Sequence, residues 1–158
     1  MQTKSFSDAK LRKAFTRLAR MFAVTFSDID GCLVIDGDEA RRHRESFIND
    51  DTGLEAFVNH VHLEDVVEQM LRPRGAGRRV LMSIGEDLIK VWSERLLPIL
   101  NGREVLFYLG GKDTVAIRFH VVRQGQPTWV RLDDTAFMEK EGTSVWRLTS
   151  TGLRSIAA

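Results

Sequence analysis

Residues 103–133, REVLFYLGGKDTVAIRFHVVRQGQPTWVRLD, decide the fold. They read as three β-runs, EVLFYL, TVAIRFHVV and TWVRL, separated by GGKD and RQGQP. Val, Ile, Phe, Tyr and Trp pack well on a pleated surface, so each run favours an extended strand. Both separators contain glycine, which takes a positive φ at little steric cost, and the second adds Pro127. Separators this short join neighbouring antiparallel strands, so the stretch is expected to be a meander. SVWRLTS at 144–150 is expected to add a fourth strand to the same sheet.

Two helices are expected beside it. In residues 7–22, Leu11, Phe15, Leu18 and Phe22 recur at helical spacing and form one apolar stripe. Ser5, Ser7 or Asp8 can cap its start, and Lys10, Lys13, Arg17 and Arg20 make a basic face. In residues 85–100, Leu88, Trp92, Leu96 and Ile99 trace a buried face, and Pro98 with Asn101-Gly102 ends the helix. RPRGAGRR at 72–79 reads as a breaker loop before it. The expected architecture is α+β: an antiparallel sheet with at least two helices on one face, in a single domain over 1–158. Phe107, Ile117, Phe119 and Val130 are expected to point into the core.

The segment between is less regular. FAVTFSDIDGCLVI at 22–35 suits a hairpin around DIDG. The acidic, arginine-containing segment after it reads as loop. Residues 54–71 are ambiguous, because AFVNHVHL alternates like a strand while VHLEDVVEQML suits a helix.

Composition narrows the function class. The chain has 158 residues, 43% hydrophobic, with net charge +1, which argues against a nucleic-acid partner. No apolar run reaches the ~20 residues a bilayer span needs, and the N-terminal apolar residues are too interrupted by Lys and Arg for a secretory signal. Cys32 is the lone cysteine, so no intrachain disulfide forms and a cytoplasmic setting is expected. Charge is unevenly spread: residues 1–27 hold six Lys/Arg against one Asp, and residues 28–68 hold twelve Asp/Glu against three Arg. Such blocks pair internally or present an acidic face to a basic partner.

Two motifs suggest chemistry. Asp28 and Asp30 in DIDG follow the apolar AVTF, and this stretch resembles the first motif of the haloacid-dehalogenase-like phosphotransferases. The resemblance implies a nucleophile at Asp28, a general acid/base at Asp30 and Mg²⁺ held between them. It further implies Ser83, Lys90 or Lys112, and Asp133-Asp134 as later elements, at the strand ends of a parallel sheet. Against it, Ile84-Gly85 follows Ser83, and no helix is apparent between Lys112 and Asp133. Asp and Gly are also the residues of a tight turn. The second motif is His60-Val-His62: on a strand, residues i and i+2 share a face. With His120, and Glu64 or Asp65, this set suits Zn or non-haem Fe, and its spacing is similar to the His-x-His element of cupin barrels. Neither motif forms a full catalytic set in sequence. The leading expectation is a non-catalytic protein-binding, immunity- or inhibitor-like domain, with a protein partner or self-association. A His-x-His metal enzyme and a Mg-dependent phosphohydrolase are the alternatives.

Overall fold

The computed structural model describes residues 7–157. Ser5 lies outside them; Ser7 caps the first helix, its Oγ accepting from the Lys10 amide at 3.5 Å. In chain order come α1 (Asp8–Phe22), β1 (Ser27–Ile29), β2 (Cys32–Val34), α2 (Gly37–His43) and α3 (Asp51–Val58). There follow β3 (Val61–His62), α4 (Leu63–Val66), α5 (Gly75–Leu96), β4 (Val105–Gly110) and β5 (Ala116–Val121). The chain closes with α6 (Thr135–Glu141), β6 (Ser144–Thr149) and β7 (Gly152–Ala157). β1 and β2 form an antiparallel hairpin, and the other strands form a five-stranded antiparallel sheet in the order β3-β5-β4-β6-β7.

The expected α+β architecture is present, and side-chain alternation shows how it is filled. Val105, Phe107 and Leu109 of β4, with Ile117, Phe119 and Val121 of β5, face one layer. α5 covers that layer with Leu81, Leu88, Ile89, Trp92 and Leu96, which share one helical side. α1 packs on α5, and the Trp92 indole donates to the Met21 carbonyl at 2.8 Å. Leu106 and Tyr108 face the other way and are covered by Val130, Leu132 and Met138. β4 is therefore buried on both sides, which is why it reads as an unbroken apolar run.

Four local expectations are corrected. TWVRL is not a strand: the place beside β4 is taken by β6, and residues 128–132 cross the sheet's second face instead. Val130 therefore packs on the side opposite Phe107, Ile117 and Phe119. RPRGAGRR is not a loop throughout, because α5 begins at Gly75, and its glycines fall in the first turn where helix propensity counts least. The acidic segment after the hairpin holds α2 and α3, started by the Asp36 and Asp50 carboxylates, which accept amide hydrogens of Asp38, Glu39 and Gly53. On α1, Phe15 is 70% exposed, and Ala14 takes the buried place between Leu11 and Leu18. Residues 54–71 contain both alternatives in turn: the end of α3, then β3, then α4.

Candidate functional site

The DIDG segment folds as a turn. Asp30 and Gly31 have φ of 51° and 85°, the left-handed pair that a two-residue hairpin needs to match the twist of its strands. Asp28 accepts the Gly31 amide at 3.0 Å and pairs with Arg103 at 2.7 Å. The resemblance to phosphotransferases implies a parallel sheet, whereas β1 is three residues of an antiparallel hairpin. The later elements do not gather there either. Ser83 is exposed on α5, Lys90 pairs with Asp87, Lys112 is exposed in the β4–β5 turn, Asp133 pairs with Arg131, and Asp134 caps α6.

Behind the hairpin, α3 ties the two sheets together. Glu55 is fully buried; one carboxylate oxygen accepts the Leu33 amide and the other the Val121 amide, each at 2.7 Å. Arg123 closes the set at 2.6 Å. One turn on, Asn59 accepts the Ile35 amide and donates to the Leu33 and Phe119 carbonyls. The side chains of Glu55 and Asn59 thus stand in for a strand ladder between the edges of β2 and β5, partnering the Leu33, Ile35 and Val121 amides and the Leu33 and Phe119 carbonyls. Burial raises the Glu55 carboxyl overall, while Arg123 and the two amides, four donors around two oxygens, pull against it. Cys32 lies under the same arginine, with Arg44 and Asp51 beside it. Burial and the nearby carboxylates raise its thiol to about 11, so it is no nucleophile at neutral pH.

The histidines separate. His62 lies opposite Ala116 in the register of β3 and β5, so His60 faces Arg118 one pleat on. The two rings are neighbours, 4.3 Å between centroids. His120 sits on the same face but beyond Arg118, and its ring is consumed by the fold. Nδ1 meets the Val121 carbonyl at 2.9 Å and must donate there; Nε2 then accepts from the Tyr108 hydroxyl at 3.1 Å and the Trp129 amide at 3.2 Å. Glu64 is turned away to accept the Val115 amide, and Asp65 accompanies α1 through its carbonyl to Arg17. Among the described residues no group of three or more His, Cys, Asp or Glu stands ready to hold a metal.

What the open face of the sheet does form is a cleft of about 250 Å³, lined by His60, His62, Tyr108, Arg118, Trp129 and Phe137. The Arg118 guanidinium lies 4.5 Å from the Trp129 ring centroid and donates one hydrogen bond, to the Ala56 carbonyl. Burial, then the Arg118 charge and His62, lower His60 to about 4, so it is neutral at pH 7. His62 also lines a wider cleft of about 950 Å³ beside α1, whose walls carry Lys10, Glu64, Asp65, Arg72 and Asp113. No sequence motif marks Arg118 or Trp129; the only local signal is a cation alternating with buried apolar residues on β5.

A second exposed feature is the lobe of β1, β2, α2 and α3, which has its own small core of Cys32, Val34, Ala40, Leu54 and Val58. Ile48 projects from it at 76% exposure, and Phe57 is 46% exposed while packing against His43 and Phe47. Asp30, Asp36, Asp38, Glu45 and Asp50 are exposed around it. Asp38 pairs with Arg41 on the surface, and four other acids of the block are in ion pairs: Asp28 with Arg103, Asp51 with Arg44, Glu55 with Arg123, and Glu68 with Lys13 and Arg17.

These features define a small α+β domain with a two-stranded acidic lobe attached to a five-stranded sheet. Residues 1–142 match the model of the Uncharacterized protein PM0498 family, and the chain belongs to that family. No curated protein and no solved structure matches it. No helix among the described residues is long and apolar enough to cross a membrane.

Proposed function

We propose that this is a non-catalytic partner-binding domain of the immunity, inhibitor or accessory kind, and that its acidic lobe is the contact surface. The observation that carries this reading is Ile48, a large apolar side chain 76% exposed on a lobe that also exposes Asp30, Asp36, Asp38, Glu45 and Asp50. An apolar anchor inside a charged rim is the composition of a protein interface. The rim selects a basic partner and speeds its encounter, because like-charged surfaces are repelled before contact. Asp28, Cys32 and His120, the groups that single-residue chemistry would use, are each engaged in holding the fold. The same reading assigns the protein to a reducing cytoplasm, supported by the single free, buried thiol.

The test is capture from a native lysate of the source organism, with the full chain as bait, at low and at high salt. A basic protein retained in near-stoichiometric amount at low salt and released by high salt is the expected result. Retention of nothing at low salt contradicts the proposal.

A further inference from the structure

The cleft on the open sheet face holds a positive charge that the protein itself leaves unneutralised. Arg118 is half-buried, and no carboxylate approaches its guanidinium within 4.0 Å among the described residues. One of its N–H groups is spent on the Ala56 carbonyl at 2.9 Å; the others have no protein acceptor there. A guanidinium is planar and presents paired donors that match the two oxygens of a carboxylate or phosphate. A cation taken partly out of water with nothing opposite it is costly unless a counter-charge arrives. Among other half-buried arginines, Arg103 meets Asp28 and Arg123 meets Glu55, while Arg78 spends its donors on two carbonyls, those of Gly111 and Gly142.

The surroundings of Arg118 complete a receptor. His60 faces it from the residue just before β3 with His62 alongside, and each imidazole carries an N–H that can donate. Trp129 and Phe137 line the same cleft and are 46% and 43% exposed, which leaves ring surface for an apolar body. Glu141 also lines the cleft, and its like charge disfavours an oxyanion beside it. We infer that this cleft binds a small organic oxyanion, a carboxylate or phosphate monoester carrying an apolar or aromatic group, with Arg118 and His60 on the oxygens and Trp129 and Phe137 on the body. The inference is independent of the acidic lobe, which lies on other residues.

Titration calorimetry and NMR of the histidine side chains, with benzoate, phenyl phosphate and inorganic phosphate as probes, test it on the full chain. At least one probe is expected to bind at millimolar concentration or tighter and to raise the pKa of His60. Arg118→Gln is expected to weaken that binding by about 10- to 100-fold, the worth of one charge-assisted hydrogen-bond pair. Binding that favours phenyl phosphate marks a phosphate ligand, and binding that favours benzoate marks a carboxylate. Arg118 also holds Ala56 and Trp129, so circular dichroism must show the variant folded. His60→Gln, which leaves those contacts alone, is expected to weaken binding and to flatten its rise toward acid pH. No binding by any probe overturns the inference, as does equal binding by folded Arg118→Gln or by His60→Gln.

Discussion

Glu55 offers the sharpest test of how the two sheets are joined. Glu55→Ala removes the acceptor of two buried amides, those of Leu33 and Val121, and the partner of Arg123, whose side chain is only 15% exposed. Breaking a buried ion pair by deleting one partner costs about 3–5 kcal/mol, and each stranded buried amide adds about 1–3 kcal/mol. These losses share one site and do not add fully, so a total of about 4–5 kcal/mol is expected. With a urea dependence of about 2 kcal/mol per molar, the unfolding midpoint should fall by about 2 M. Much of a typical domain's stability would be gone. Glu55→Gln keeps the shape and one acceptor but sets an amide nitrogen against a backbone N–H, so it should fall between wild type and Glu55→Ala. Urea unfolding followed by tryptophan fluorescence reports the outcome. A loss below about 1 kcal/mol for Glu55→Ala would refute the claim that this side chain stands in for a strand ladder.

Three further outcomes are expected. Gly85→Ala should lower the Tm: a Cβ there would meet Leu109 Cδ1 at 2.4 Å and Leu63 Cδ1 at 3.1 Å, both in fully buried residues. Overpacking of about 1–3 kcal/mol outweighs the roughly 1 kcal/mol that alanine gains in a helix, and a raised Tm would contradict the packing described. Asp28→Asn should cost under about 1 kcal/mol by the same unfolding assay, since the pair it loses to Arg103 is 40% exposed on the Asp28 side and the turn bond to Gly31 survives. Acid should destabilise the fold before the carboxylates titrate. Burial holds His60 at about 4 and also lowers His120. The unfolded chain therefore binds protons near pH 6.5 that the folded chain refuses, and stability present above that pH is lost as pH falls through it. From about pH 7.5 to about pH 5 the His60 share is at most about 2 kcal/mol, less with solvent screening. His60→Gln should flatten the decline, and an unfolding midpoint independent of pH in this range would count against it.

The parts legible in sequence were those whose signal is local. Alternating β-branched and aromatic residues give β4, β5 and β6, a four-three apolar spacing gives α1, and Asp-Gly gives the hairpin turn. Helices α2 and α3 are short and leave little periodic signal: α2 buries only Ala40, and α3 buries Leu54 and Val58 together with Thr52, Glu55 and Ala56, so polar and small residues interrupt the apolar face. TWVRL has strand composition, but its fate depends on β6, which follows it and occupies the neighbouring edge of β4. The roles of Glu55, Asn59 and Arg123 arise between residues 22 to 92 positions apart, a scale on which periodicity carries no information. His60 and His62 stand side by side, as alternate residues on an extended chain do. His120 shares that face as well, but Arg118 stands between, and a neutral acceptor role under Tyr108 and Trp129 claims its ring.

The acidic lobe that carries the exposed Ile48 is proposed as a protein-binding surface. Parallel captures from native lysate with the wild-type chain and with Ile48→Asp test it most directly, with bound proteins quantified by mass spectrometry. Ile48 is 76% exposed, so the variant should unfold at about the same urea concentration as wild type. The account predicts a basic protein enriched by wild type and reduced at least about tenfold by the variant, the worth of a central apolar anchor. Equal enrichment by both baits, or none by either, would contradict it.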